Sequence, residues 1–427
     1  MKKSQFANVV NHEGKALIHN ALFGGVIKAG CDDSRNFLDV IDSGNDFEID
    51  INEGFHVALK DMRMIVDNDM DESALANYYF VERQRHELFI IPFVTKQCNF
   101  RCVYCLDKFS NDRMEESTYD DLLKVIEDLI DTKGYKTVRI SFFGGEPLLE
   151  YEAICRFSEK LNELVNKKEV QFIGGMTTNG HLLTIDRLKR LTELNVTEYQ
   201  ITVDGLKESH DVARPLVSGN GTWDTIMQNL YDAKASELEF MFMIRSNFDN
   251  ALHQIAKNYL EHMSQHFAGD TRFTFSFVAV KQLKGGEKNI DTVSAEEEID
   301  ITDEMRMLAS GMGLNVSGSQ LITMPFGYVC YANSNDSFTI DYDGTVMKCT
   351  VQTESAMNRI GSLSGGNLDI KDHLLSHWTS RGLQEKCKSC KILSICYNGV
   401  CPAATITDGQ CNKNIVMYED ALKAMLI

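Results

Sequence analysis

From Leu88 onward, short apolar runs alternate with longer stretches whose apolar positions recur at helical spacing. Leu88–Val94, Thr137–Phe143, Val170–Ile173, Tyr199–Val203, Glu239–Ile244 and Arg272–Val278 read as six strands. Between them, Asp120–Thr132, Glu152–Lys167, Ile185–Leu194, Trp223–Ala235 and Ala251–His266 read as amphipathic helices. Strands separated by helices of this length imply a parallel sheet with crossover helices. Six units are too few to close an eight-stranded barrel. The expectation is an α/β fold, a partial (β/α)6 barrel left open as an arc. Its functional loops should lie at the C-terminal ends of the strands.

The two ends of the chain have other patterns. Asn8–Val10 and Ala16–His19 read as a hairpin turning at Glu13-Gly14. Helical stretches follow at Phe55–Val66 and Glu72–Arg85. After Gly285 a loop and a helix lead to a cysteine-rich region from Cys330. The expected division is an N-terminal domain at 1–87, a core at 88–284, a bridging region at 285–329 and a cysteine-rich domain at 330–427.

Composition narrows the function. Of 427 residues, 43 are basic and 62 acidic, a formal charge of -19, which argues against a nucleic-acid backbone as partner. No apolar run approaches a membrane span, and the first residues are not a signal peptide, so a cytoplasmic location is expected. In a reducing compartment, 12 cysteines do not form a disulfide framework; ten of them fall in two compact groups and read as metal ligands. Cys31 and Cys155 stand apart and read as buried thiols.

The first group is Cys98, Cys102 and Cys105, spaced C-x3-C-x2-C directly after the first core strand. Structural zinc normally takes four ligands, often as two C-x2-C pairs, and no fourth ligand closes this loop locally. Three thiolates can instead hold three irons of a [4Fe–4S] cluster and leave the fourth iron open. The spacing, with Tyr104 before the last cysteine, resembles that of the radical S-adenosylmethionine (SAM) superfamily.

Further strand ends carry the same resemblance. Gly144-Gly145-Glu146-Pro147 resembles the superfamily motif that binds the SAM amino group, a cation that needs acceptors near the cluster. Thr178 and Asn179 end the third strand. Thr202 and Asp204 end the fourth and are followed by His210, Asp211 and Arg214; this resembles the S-x-D-G…H-D-x-x-R signature of SPASM-type members, with threonine in place of the usual serine. A hydroxyl can donate to the SAM carboxylate or ribose, and an arginine can pair with the carboxylate. Arg245 and Asn247 end the fifth strand and would do similar work. The alternative for each is a turn, a cap or an ion pair.

The second cysteine group begins with Cys330, Gly344 and Cys349, then runs Cys387-x2-Cys390-x5-Cys396-x4-Cys401 and Cys411. It is similar to the SPASM domain, whose cysteines hold two auxiliary [4Fe–4S] clusters, except that the usual three residues before the penultimate cysteine are four here. The resemblance implies that Cys387, Cys390, Cys396 and Cys411 hold an outer cluster and Cys330, Cys349 and Cys401 an inner one. No cysteine lies in 320–327, where fully ligated relatives have one, so the inner cluster should keep an open iron or a non-cysteine ligand. The competing expectation is a zinc ribbon on Cys387 and Cys390. His373 and His377 are taken as helix-surface residues.

The resemblance covers Leu88 to Cys411 and implies three [4Fe–4S] clusters and SAM, cleaved reductively to a radical that takes hydrogen from an unactivated C–H bond. An electron donor such as ferredoxin or flavodoxin would supply the reducing equivalent. Two branches of the SPASM group compete. Formylglycine-generating enzymes usually start near the cluster loop and carry a carboxylate after the cysteine that matches Cys349; this chain has an 87-residue N-terminal extension before its first core strand, and Thr350. Maturases of ribosomally made peptides often carry a winged-helix-like (RRE-type) N-terminal domain, and Ile18–Gly25 resembles a recurrent motif in them. The expected substrate is therefore a precursor peptide whose leader adds a strand to the hairpin edge. The expected product is a cross-link, a cysteine thioether, with carbon–carbon cross-linking or epimerisation as alternatives. A non-catalytic SAM-binding regulatory or electron-transfer protein is the alternative from another class. No residue is assigned as general base.

Overall fold

The structure is a computed structural model. It describes residues 1–30, 32, 37, 53–84, 86–105, 107–280, 292–294, 297–316, 323, 325, 329–379, 385–396, 402 and 408–426. By contacts it divides into two compact units, one of Met1–Arg85, Gly318–Asn335 and Ser376–Ile427, the other of His86–Ser317 and Asp336–Leu375. The expected four-part division follows the sequence; in space the two ends of the chain belong to one unit.

In the first unit, β1 (Lys2–Lys3) precedes β2 (Ala7–His12) and β3 (Lys15–Asn20), an antiparallel hairpin that turns at Glu13-Gly14 as expected. Both turn residues have positive φ, 47° and 78°, which matches the twist of a tight hairpin. A third strand, β4 (Val26–Gly30), pairs with β3. Helix α1 (Gly54–Asp61) is shorter than expected. The chain breaks at Arg63, with φ 57°, and Ile65-Val66 forms β5, paired with β1. Helix α2 is Glu72–Gln84.

The second unit is built on one ten-stranded sheet. Its parallel part comprises β6 (Glu87–Thr95), β7 (Thr137–Gly144), β8 (Gln171–Thr178), β9 (Val196–Thr202), β10 (Met241–Phe248) and β11 (Phe273–Ala279), which lie side by side in sequence order. Crossovers are made by α3 (Glu116–Lys133), α4 (Tyr151–Lys168), α5 (Ile185–Glu193), α6 (Lys207–Ala213), α7 (Trp223–Ala235) and α8 (Asn250–Phe267), with α9 (Glu297–Gly311) after the last strand. In α3 the buried Tyr119, Leu122, Val125, Ile126 and Ile130 form one stripe, and Gly134 ends the helix in the left-handed conformation. Among the described residues the sheet does not close. β12 (Ser337–Ile340) adds in parallel beside β6, and β13 (Thr345–Met347), β14 (Arg359–Ser364) and β15 (Asn367–Ile370) follow antiparallel. β8 continues through Gly174-Gly175 to Thr178, and β10 through alternating polar and buried positions to Phe248, so Thr178 and Arg245–Asn247 lie at strand ends as expected.

Helix α10 (Asp372–Thr379) exposes His373 and His377, as expected. In the first unit α11 (Glu385–Lys388), α12 (Leu393–Cys396) and α13 (Asp408–Ala424) return to the N-terminal sheet. Phe6, Val10, Leu17 and Leu22 share one apolar core with Ile392, Leu393, Ile395, Tyr418 and Leu422. Polar clamps border it: Asn8 donates to the Lys391 carbonyl at 3.2 Å, and Ser73 to that of Lys388 at 2.8 Å. No helix among the described residues is long and apolar enough to cross a membrane.

Candidate cluster and cofactor site

Cys98, Cys102 and Cys105 lie on the loop that leaves β6. None of the three is in a disulfide; Cys98 and Cys102 are half-buried and Cys105 is exposed. Burial pushes the Cys98 thiol up to about 12, so a metal bound there would have to displace its proton. Phe100 donates its N–H to Cys98 Sγ at 3.4 Å. The segment after α6 runs antiparallel to the loop: Arg101 N–H donates to Pro215 O (2.8 Å), Val103 to Ala213 (2.9 Å) and Val217 to Asn99 (2.9 Å).

The Gly144–Pro147 turn, at the end of the neighbouring strand, touches the same loop from the other side. Gly145 N–H donates to Thr95 O at 2.9 Å and Glu146 N–H to Gln97 O at 2.8 Å. A Cβ on Gly144 would stand 2.3 Å from Thr95 O, and one on Gly145 2.2 Å from Gln97 O. Only glycines allow this approach. Glu146 then turns inward and is fully buried. Its Oε1 accepts from Thr178 Oγ1 (2.7 Å) and Leu148 N (3.0 Å), and its Oε2 from Asn179 N (2.7 Å). Burial raises its pKa, against the pull of these three donors. A carboxylate has about four acceptor positions, so Oε2 keeps one for a further donor. Asn179 reaches on with Nδ2 to Asn99 Oδ1 at 2.8 Å. Thr178 and Asn179, expected at this site, thus meet Glu146 rather than acting separately.

A second network forms around Tyr104. Its hydroxyl donates to Asp204 and accepts from Arg214 Nη1 (2.5 Å) and Asn247 Nδ2 (3.1 Å). Asp204 also accepts from Asn247 N (2.7 Å), and Arg214 lies 3.7 Å from its carboxylate. Arg245 donates Nε to Asn247 Oδ1 at 2.8 Å. Burial raises the Asp204 carboxyl, Arg214 opposing it, and lifts the Tyr104 phenol well above its usual range. Thr202 is buried at the end of β9, in register with Arg245. His210 accepts from Asp204 N at Nδ1 (3.1 Å), so its proton is on Nε2. That Nε2 and the Nε of Arg214 are buried with no protein partner. Asp211, from the same signature, caps α7 through Thr222 and Trp223 N–H groups at 2.7 and 2.9 Å and has no role in the network.

Among the described residues no three His, Cys, Asp or Glu side chains converge on a single metal-ion point. Thiolates that hold different irons of one cube stand apart and need no such point. The donor set fits that group: three thiols on a pinned loop, a buried carboxylate with a spare acceptor position, and a buried arginine and histidine with spare N–H donors. Asn99 carries a contact that motif spacing did not single out; its hydrogen bond to Asn179 joins groups far apart in sequence.

Residues 93–257 match the family model described as Radical SAM superfamily. The chain carries a radical SAM domain. Members of this superfamily bind a [4Fe–4S] cluster and SAM. The GTP 3′,8-cyclase of Clostridium perfringens (strain 13 / Type A) is 26% identical over 232 residues, 53% of this chain and 65% of that protein. That of strain SM101 is 36% identical over 118 residues, 27% of this chain and 34% of that protein. The chain therefore spans less than two thirds of either relative. Among solved structures, anSMEcpe with bound AdoMet and the Cp18Cys peptide superposes with TM-score 0.59 at 18% identity, over 80% of this chain and 98% of that one. Streptococcus suis SuiB bound to precursor peptide SuiA superposes with TM-score 0.54 at 13% identity, over 95% of this chain and 99% of that one. At these identities the likeness concerns the fold.

In the C-terminal cysteine group, Cys349 is buried and Cys330, Cys387, Cys390, Cys396 and Cys411 are half-buried, none of them in a disulfide. Asn414 Nδ2 donates to Cys396 Sγ at 3.5 Å. Cys401 and Cys31 lie outside the described residues.

Proposed function

We propose that the chain is a radical SAM peptide maturase that cross-links a ribosomally made precursor peptide, forming a cysteine thioether. The observation that carries this is the reach of the likeness to SuiB, a protein solved with its precursor peptide, over 95% of this chain. Such coverage extends beyond the radical SAM domain into both ends. The three-stranded N-terminal sheet has β4 as an edge, a place for a leader strand.

Cys98, Cys102 and Cys105 would hold the SAM-binding [4Fe–4S] cluster; with SAM bound it supplies a radical able to take hydrogen from a carbon. The chain's own residues bind and orient. The spare acceptor position of Glu146 suits an ammonium, and the free Nε–H of Arg214 suits a carboxylate. The Tyr104–Asp204–Asn247 bonds tie the cysteine loop to the ends of β9 and β10, so the loop and the cofactor acceptors keep one geometry. Cys387, Cys390, Cys396 and Cys411 would hold an outer auxiliary cluster, and Cys330, Cys349 and Cys401 an inner one with an open iron suited to a substrate thiolate. A ferredoxin or flavodoxin would be the electron donor.

The test is anaerobic reconstitution and co-expression with the short cysteine-containing precursor of a neighbouring reading frame. The expected outcome is 5′-deoxyadenosine and a peptide lighter by two hydrogens per link, with the cysteine protected from alkylation. A gain of oxygen, or an unchanged mass with an inverted stereocentre, would overturn the thioether. Clusters without 5′-deoxyadenosine would overturn the enzyme.

A further inference from the structure

Gly344, at the turn between β12 and β13, has φ +82°, and a Cβ there would stand 2.5 Å from Leu363 O. It lets β13 start against β14 and leads directly to Lys348-Cys349. The ladder then fails: the register shifts between Val346 and Met347, and the last pair is Met347 with Arg359. Asn358 sits where pairing stops and is fully buried.

A carboxamide offers an oxygen with two acceptor positions and two N–H donors. Asn358 uses all four. Its Oδ1 accepts from Lys348 N (3.0 Å) and Cys349 N (2.8 Å); its Nδ2 donates to Cys349 O (2.8 Å) and Gln352 O (3.0 Å). Three of the four partners are backbone groups of Lys348 and Cys349, so one side chain grips the peptide units on both sides of the cysteine. The Asn358 backbone is fixed in turn, its N–H donating to Ser355 O and its carbonyl accepting from Ile360 N, each at 3.0 Å. The neck of the 349–358 loop is thus closed and buried at Cys349 and Asn358, whereas Val351 and Met357 just beyond it are exposed. Inside it, Val351 N–H donates to Cys349 Sγ at 3.3 Å.

We propose that Asn358 is the positioning residue of Cys349 and holds its thiol in the conformation that ligates an auxiliary iron. This rests on Cys349 being an iron ligand. Asn358 itself touches no metal. It acts through the two peptide units and through the N–H···S contact they align, and contacts of that kind orient ligands and tune cluster potentials.

The test uses the full chain, reconstituted anaerobically, as wild type, C349A, N358A, N358D and V351P. Iron and sulfide per chain, the electron paramagnetic resonance spectrum of the reduced protein, redox titration and the unfolding midpoint are measured. N358A, which removes all four bonds, is expected to lose the iron that C349A loses. N358D keeps the acceptors but faces two carbonyls with a carboxylate; it should change the spectrum and midpoint potential of the same cluster. V351P removes the N–H at an exposed site, while also fixing φ there and restricting Thr350, and should shift that potential. Wild-type iron, spectrum and potential in N358A, N358D and V351P, with only the unfolding midpoint lowered, would overturn the positioning role and leave Cys349 as a ligand. Wild-type iron and spectrum in C349A would overturn the ligand assignment itself.

Discussion

His19 ties the two ends of the chain together. It lies on β3, is buried, and its Nδ1 meets the Tyr418 hydroxyl of α13 at 2.6 Å. Burial lowers it from 6.5 to about 4. A depressed folded value means that the unfolded chain binds the proton first. Stability from the neutral ring is therefore complete above 6.5 and is lost as pH falls toward 4. The loss should reach the order of 3 kcal/mol below that. Urea unfolding at pH 7 and pH 4.5 should show a larger fall for wild type than for H19Q; equal falls would refute it. Glu146 has the opposite sign: its burial favours the protonated form in the fold, so three donors are needed to hold its charge.

At the scale of elements, the cysteine loop has no regular structure of its own and is shaped by its neighbours. The β7 turn abuts it on one side and the 213–217 segment pairs with it on the other. Gly145→Ala would drive a Cβ into the Gln97 carbonyl, a backbone atom that cannot step aside cheaply. The expected cost is about 1–3 kcal/mol, as for other overpacking changes. It should appear as a lowered unfolding midpoint together with loss of iron from the first cluster, read in a variant whose C-terminal cysteines are intact. A G145A protein with full iron and unchanged SAM binding would show that the close approach is not needed.

At the scale of the whole molecule, the core shared by the N-terminal sheet and the C-terminal helices predicts mutual dependence. Removing residues 1–85 strips Phe6, Leu17 and Leu22 from Ile392, Tyr418 and Leu422. Cys387, Cys390 and Cys396 pack against that same core. The truncated chain should aggregate or lose the iron proposed for its C-terminal cysteines; a soluble, fully iron-loaded 86–427 fragment would contradict this. Nothing in the sequence announces the pairing of the two ends, because an apolar stripe shows that a face is buried but not against what. The open parallel sheet was legible from Leu88 to Val278, since strand and helix periods differ and each element keeps its own. The hairpin turn was legible because Gly14 suits positive φ. The strand of Ile65-Val66 was not, since two apolar residues beside a helix carry no period. The cysteine loop and Gly144–Pro147 could be read because their chemistry is local, set by residues a few positions apart. The partners of Glu146, the Tyr104 network and the Asn358 clamp could not. Each joins groups that only strand order brings together, and a hydrogen bond across a sheet leaves no spacing in the chain. The sequence alone thus determined which elements form and which loop offers thiols. Tertiary structure alone decided which buried polar groups meet, because burial makes an unpaired polar group costly and only the fold supplies its partner.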